Sequence, residues 1–163
     1  MWKRVPFVAA VALATIAALS PGTASAHSER ARGPVEVTHG QLMTLAGGES
    51  LGYDITGHAV MVRTQNGTSV ALHVRGLDAD TTYPAHVHNA PCTATPSGGG
   101  HYQHVVGGPV DASNEIWPTV ATNHRGLGWG RATHDHRARP DAMSIVIHYP
   151  LNTSIRLACV DLT

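Results

Sequence analysis

From residue 35 onward the sequence is rich in short β-type stretches, several of which alternate apolar and polar residues and are bounded by Gly, Asn, Asp or Pro. Such a period of two puts alternate side chains on opposite faces of a strand. No stretch carries a long capped apolar period of the helical kind. The alternation predicts strands over residues 35–45, 58–64, 68–74, 85–88, 119–122, 128–133, 143–148 and 154–162. Asn66-Gly67, set between MVRTQ and TSVALHV, predicts a hairpin closed by a type I′ turn. Residues 111–118 and 135–141 read as loops. Short strands at this spacing with turn residues between them point to a sandwich or a barrel.

The chain has 163 residues, and its beginning is of a different kind. Lys3 and Arg4 precede an apolar run that gives way to small residues ending at Ala24-Ser25-Ala26. The run is short of the roughly 20 apolar residues that a span requires. Residues 1–26 therefore read as a secretory signal peptide, and the protein as secreted or otherwise extracytoplasmic, with no membrane span after cleavage. Residues 27–34 (HSERARGP) read as a disordered polar tether, and residues 35–163 as one domain with a single core. Formal net charge is zero, and no Lys or Arg stripe is present. The electrostatic footprint of a nucleic-acid binder is thus missing, which favours a small ligand. Cys92 and Cys159 are the only cysteines, and in an exported chain they read as one disulfide.

Histidine is over-represented, with 12 in the chain against one Phe. His86-Val87-His88 sets two imidazoles on one face of a strand while Val87 points the other way. Taken alone that pair is weak support for a metal. It gains weight from the Gly-rich stretch that follows, PCTATPSGGGHYQH, which delivers His101 and His104 on a close-turning backbone. It gains more from His148, at the end of the apolar run SIVIH. Imidazole-only ligation suits copper. His39, His58, His73, His124, His134 and His136 show no converging partner and read as surface or hydrogen-bonded residues.

Taken in order, AHVH (residues 85–88), Cys92, GGGH (98–101), SIVIH (144–148) and IRLAC (155–159) resemble the copper/zinc superoxide dismutase family. The likeness runs over roughly residues 68–162. It implies a Greek-key β-sandwich or flattened barrel of about eight strands, with copper on its outer face beneath the 92–101 loop. It further implies that His86, His88 and His148 are copper ligands, that His101 is the imidazole which in two-metal members joins copper to zinc, and that Cys92 pairs with Cys159. Arg156 would guide the superoxide anion. The reaction so implied is copper-dependent disproportionation of superoxide to oxygen and hydrogen peroxide, with His101 supplying a proton, which makes Arg156 and His101 the catalytic residues.

The departures are as informative. Beyond His101 a closed zinc site needs more ligands, and only His104 stands near, as a candidate zinc ligand or supporting residue, before VVGGPVDASNEIWP. Zinc is therefore not expected as a tightly bound cofactor, whereas copper is. Only YPLNTSI separates His148 from Arg156, so the charged loop of the family is missing too. Both losses resemble the copper-only branch. With zinc gone, something else must orient His101, and Glu115 and Asp111 are the available carboxylates, Glu115 slightly preferred. The competing reading is a dismutase-like copper carrier without turnover. Arg156 weighs against it, since a carrier needs no anion guide.

Overall fold

A computed structural model describes Met1 and residues 33–163. All but Met1 of the expected signal peptide, and most of the expected tether, lie outside the described residues. Among those residues no helix is long and apolar enough to cross a membrane.

The described residues form ten strands and one helical turn: β1 (Glu36–Gln41), β2 (Met43–Thr44), α1 (Ala46–Glu49), β3 (Thr56–Thr64), β4 (Gly67–Arg75), β5 (Thr82–Tyr83), β6 (Ala85–His88), β7 (Val120–Thr122), β8 (Gly128–His134), β9 (Ser144–Tyr149) and β10 (Asn152–Asp161). They form two antiparallel sheets, one ordered β1-β3-β4-β8-β7-β5 and the other β2-β10-β9-β6. The fold is all-β, a two-sheet sandwich, as the alternating pattern predicts.

The core lies between the sheets. Ala59 and Met61 on β3 and Val70, Leu72 and Val74 on β4 meet Val87 on β6, Ile145 and Ile147 on β9, and Leu157, Ala158 and Val160 on β10. Burying an aliphatic side chain of this size contributes about 1.5–3 kcal/mol, so the inward set alone explains why these short strands hold their register.

Three local expectations need correction. The strand expected over residues 35–45 is broken at Leu42, which is buried and whose amide bonds Gly57 O at 2.9 Å. There the chain leaves the larger sheet and enters the smaller as β2, so one apolar run serves two layers. The two-residue strand β5 is too short to show a period, which with β2 brings the count to ten. The hairpin joining β3 and β4 is present, but Thr64 pairs with Gly67 across Gln65-Asn66. Asp80 is the described non-glycine residue with positive φ, and Gly67 is not among the positive-φ glycines, so the turn is not type I′. Thr64 Oγ1 donates to Gly67 O at 3.1 Å and closes it instead.

Candidate metal centre

Strand alternation puts three imidazoles on the outer face of the smaller sheet. In β6, Ala85 and Val87 face the core, leaving His86 and His88 on the other side. In β9, Ile145 and Ile147 face the core, leaving Val146 and His148 outside. β6 and β9 are antiparallel neighbours with His86 opposite Val146, and His148 N donates to Pro84 O at 2.8 Å. Three rings thus share one face before any loop contributes.

The fourth arrives by a returning loop. Asn89 N bonds Gly100 O and Tyr102 N bonds Val87 O, each at 2.9 Å, laying residues 100–102 beside β6 so that His101 pairs with His88. Gly98 makes this possible. Its φ is 81°, and a Cβ there would come within 2.7 Å of Val146 Cγ2 and 3.2 Å of His88 Cβ. Any side chain would both strain the backbone and lift the loop off the histidines. The Cys92–Cys159 disulfide, with its Cα atoms 5.8 Å apart, fastens the start of the loop to β10. Asp161 Oδ1 accepts from Cys92 N at 2.7 Å beside it.

The result is one cluster in which His86, His88, His101 and His148 each offer a ligand nitrogen, all within 4.8 Å of one another. The His86 and His101 ring centroids are 4.1 Å apart, and the Nε2 atoms of His88 and His148 stand 3.3 Å apart. Two of the rings have their far nitrogen committed: His148 Nδ1 donates to Thr153 O at 2.6 Å, and His101 Nδ1 to Glu115 Oε2 at 2.6 Å. In a neutral imidazole the other nitrogen then carries the lone pair, so both Nε2 atoms are acceptors facing the cluster. The Nδ1 atoms of His86 and His88 are buried without a partner. A buried polar atom in that state is unusual.

Electrostatics favour the neutral form of His86, His88 and His148. Burial, reinforced by His101 and His148, pushes His86 down to about 4, with Glu115 opposing. Burial with the charges of His101, His148 and Arg156 lowers His88 to about 2. Burial brings His148 to about 4, despite its bond to Thr153. Metal ligation requires this deprotonated form. Four imidazoles without thiolate or carboxylate could hold a metal ion that favours nitrogen donors.

Glu115 is the hub of the surroundings. Its side chain is 1% exposed. Besides His101, it accepts from Trp117 Nε1 at 2.9 Å and from Gln103 Nε2 at 3.2 Å. Burial raises its pKa, but the bonds from Trp117, His101 and Gln103 outweigh burial and hold it below the usual carboxylate range. Trp117 in turn stands against His86, with centroids 5.5 Å apart.

Arg156 lies directly across from His148 in the β9–β10 ladder, and a bulge between Arg156 and Ala158 interrupts the pairing just after it. Directly opposed residues share a face, so the guanidinium belongs to the histidine side of the sheet. Its Nη1 donates to Ser97 O in the covering loop. The 149–155 connection is short enough that only the turn at Pro150-Leu151 separates the two strands.

No protein-family model matches the chain, and neither does any curated protein compared with it. The site must therefore be judged on its chemistry.

The other candidates are placed elsewhere. Asp111 is exposed and does not reach His101; it accepts from the Ser113 hydroxyl at 2.6 Å and amide at 2.9 Å, and those bonds lower its pKa. It shapes the turn that delivers Glu115, whose amide bonds Asp111 O at 2.8 Å. His104 does not join the four histidines. Its ring stacks on His136 at 3.6 Å, and the His134 ring lies 4.8 Å from that of His136. His134 and His136 thus have partners that the linear sequence conceals, although His134-Asp135-His136 repeats the spacing of His86-Val87-His88 and could have been read the same way. Trp117, two residues from Glu115, carried no sequence signal for its role.

Proposed function

We propose that this chain is an extracytoplasmic copper enzyme that disproportionates superoxide, a relative of the copper/zinc superoxide dismutases in which a carboxylate takes the place of the second ion. The observation that carries the reading is His101: its ligand nitrogen faces three other imidazoles while its opposite nitrogen is held at 2.6 Å by a buried carboxylate. An ordinary surface cluster of histidines has no need of so fixed a partner.

His86, His88, His101 and His148 would hold the ion, which when bound supplies a one-electron couple. The overall change is two superoxide anions and two protons giving oxygen and hydrogen peroxide. The chain supplies the rest. Arg156 offers an incoming anion positive charge and planar N–H donors beside the ligands. His101, 30% exposed, forms the open side of the cluster and can pass a proton from solvent toward the departing peroxide. Trp117 and the 89–100 loop limit water on the other sides.

The test uses copper-loaded protein in a superoxide-consumption assay. Arg156→Ala is expected to keep its copper but lose most of its second-order rate constant, and Arg156→Lys to lose less, because charge is retained without the planar fork. The wild-type rate should fall as salt screens the steering charge. His86→Ala and His148→Ala should lose copper and activity together. No dismutation above buffer controls, or an Arg156→Ala rate equal to wild type, would replace this reading with a copper carrier in which Arg156 only ties down Ser97.

A further inference from the structure

The outer face of the larger sheet, across the core from the four-histidine cluster, carries a groove of about 370 Å³ that the chemistry proposed above does not use. Alternation builds it: Ala59 on β3 and Leu72 and Val74 on β4 point into the core, leaving His58, His73 and Arg75 in solvent on the other side. A row of directly opposed residues crosses it on neighbouring strands. Gln41 on β1 faces His58, His58 faces His73, and His73 faces Trp129 on β8. At ordinary strand spacing that row is roughly 14 Å long. The His58 and His73 rings stack with centroids 5.0 Å apart and planes 9° apart, and Trp129 meets His73 edge-on at 6.4 Å. Two residues along β4, Arg75 stands opposite Thr56, and both line the groove.

The charge on this face is of one sign. Residues opposed across a ladder share a face, and on that count the outward positions of β1, β3, β4 and β8 hold Arg75 and Arg131 but no Asp or Glu. Among the described residues neither guanidinium is in a salt bridge. Arg131 borders a smaller hollow on the same face, beside Val60, Val62 and Ala71. Trp129 is 48% exposed, the one aromatic among the exposed large apolar side chains described. Cross-strand pairing stabilises a sheet, but it does not account for a face with cations and no carboxylate in a chain of zero formal net charge.

We propose that this groove binds an acidic saccharide, a chain of sugar rings carrying carboxylates. Such a ligand uses every part of the lining. Its apolar ring faces lie on the indole of Trp129. Its hydroxyls exchange hydrogen bonds with Gln41, Thr56 and the two imidazoles, all of which both donate and accept. A carboxylate takes the planar fork of Arg75, and Arg131 is placed for another further along the chain. An open groove that crosses four strands suits a chain-like ligand better than a small one that must be enclosed. A second copy of the protein is a poorer occupant, because a twofold contact through this patch would set the arginines of one copy against those of the other. None of these residues belongs to the metal cluster, so the binding is independent of the dismutase reading.

The experiment titrates oligogalacturonate into the purified chain by calorimetry at low salt, with tryptophan fluorescence followed in parallel and the fully methyl-esterified oligomer as uncharged counterpart. Saturable binding is expected for the acid and binding at least about tenfold weaker for the ester, with the affinity for the acid falling as salt is added. Arg75→Ala and Trp129→Ala should each weaken binding by about tenfold, and Arg75→Lys by less than Arg75→Ala, while copper content stays at that of the wild type. The ester comparison needs no variant, so it decides the matter even where a substitution disturbs the sheet. No binding of the acid at up to millimolar concentration, equal binding of acid and ester, or equal binding by wild type and Arg75→Ala would overturn the proposal. So would polyglutamate held as tightly as oligogalacturonate, which would make the partner an acidic protein. A concentration-dependent dimer abolished by Trp129→Ala would overturn it too, by making the face a contact between copies.

Discussion

Replacing Glu115 by Gln removes one charge and almost no volume from a side chain that is 1% exposed. The two donors on Oε2, His101 Nδ1 at 2.6 Å and Trp117 Nε1 at 2.9 Å, can both be kept if the amide oxygen takes that position. The amide nitrogen then faces Gln103 Nε2, 3.2 Å from the present Oε1, and two donors oppose each other. Gln103 cannot simply flip, because its Oε1 already accepts from Gly107 N at 2.9 Å. A hydrogen bond to a charged group contributes about 1.5–3 kcal/mol and a neutral one about 1 kcal/mol, so His101 loses on the order of 1–2 kcal/mol of orientation. Copper affinity should fall by roughly tenfold, within the range of about 10–100-fold typical of partners behind metal ligands.

The assay is a competition titration of copper against a chelator of known affinity, beside thermal unfolding of the metal-free protein as a control for folding. Gln is preferred to Ala because Ala would strand three donors, at about 1–3 kcal/mol for each one buried, and confuse loss of fold with loss of orientation. A folded Glu115→Gln protein binding copper within twofold of wild type would refute the idea that the carboxylate orients His101.

Lowering pH should destabilise the metal-free chain. His86 and His148 fall from 6.5 to about 4 in the fold and His88 from 6.5 to about 2, so the unfolded state binds more protons below 6.5. Their contribution is complete above that pH and is lost progressively as pH falls through about 4, and a Tm unchanged between neutral and mildly acidic buffer would contradict it. Reducing the Cys92–Cys159 disulfide, which closes a separation of 67 residues, should cost about 4 kcal/mol on the chain-entropy estimate and free the loop carrying His101. Denaturant unfolding and copper retention, measured with and without reductant, should therefore fall together. Asp111→Ala should alter the local turn but leave copper stoichiometry at one per chain, as metal analysis would show; loss of copper would mean that Asp111 rather than Glu115 governs His101.

What was legible in the sequence was whatever depends on neighbours in the chain. Period-two alternation identified most of the strands and, within β6, put His86 and His88 on one face before any fold was known, whereas the apolar run SIVIH placed His148 only at a strand end. Leu42 could not be read as a crossing point, because its exchange of sheets depends on the Gly57 carbonyl it meets in space. The choice between Glu115 and Asp111 was equally non-local. Both carboxylates sit in one loop, but Asp111 spends its acceptors on Ser113 within the turn, and only Glu115 is carried inward to His101.

The same distinction explains why the grouping of His104, His134 and His136 is not legible in the sequence. His134 and His136 stand at the end of β8, where alternation stops, and His104 lies in an irregular segment with no period at all. Their encounter is produced by Arg139 and Thr68, which fix the 103–104 and 136–138 backbones from residues far away in sequence. A strand can present ligands because its geometry is repeated and therefore readable in advance. A cluster assembled from loops depends on long-range clamps, and its members become recognisable only once those clamps are identified.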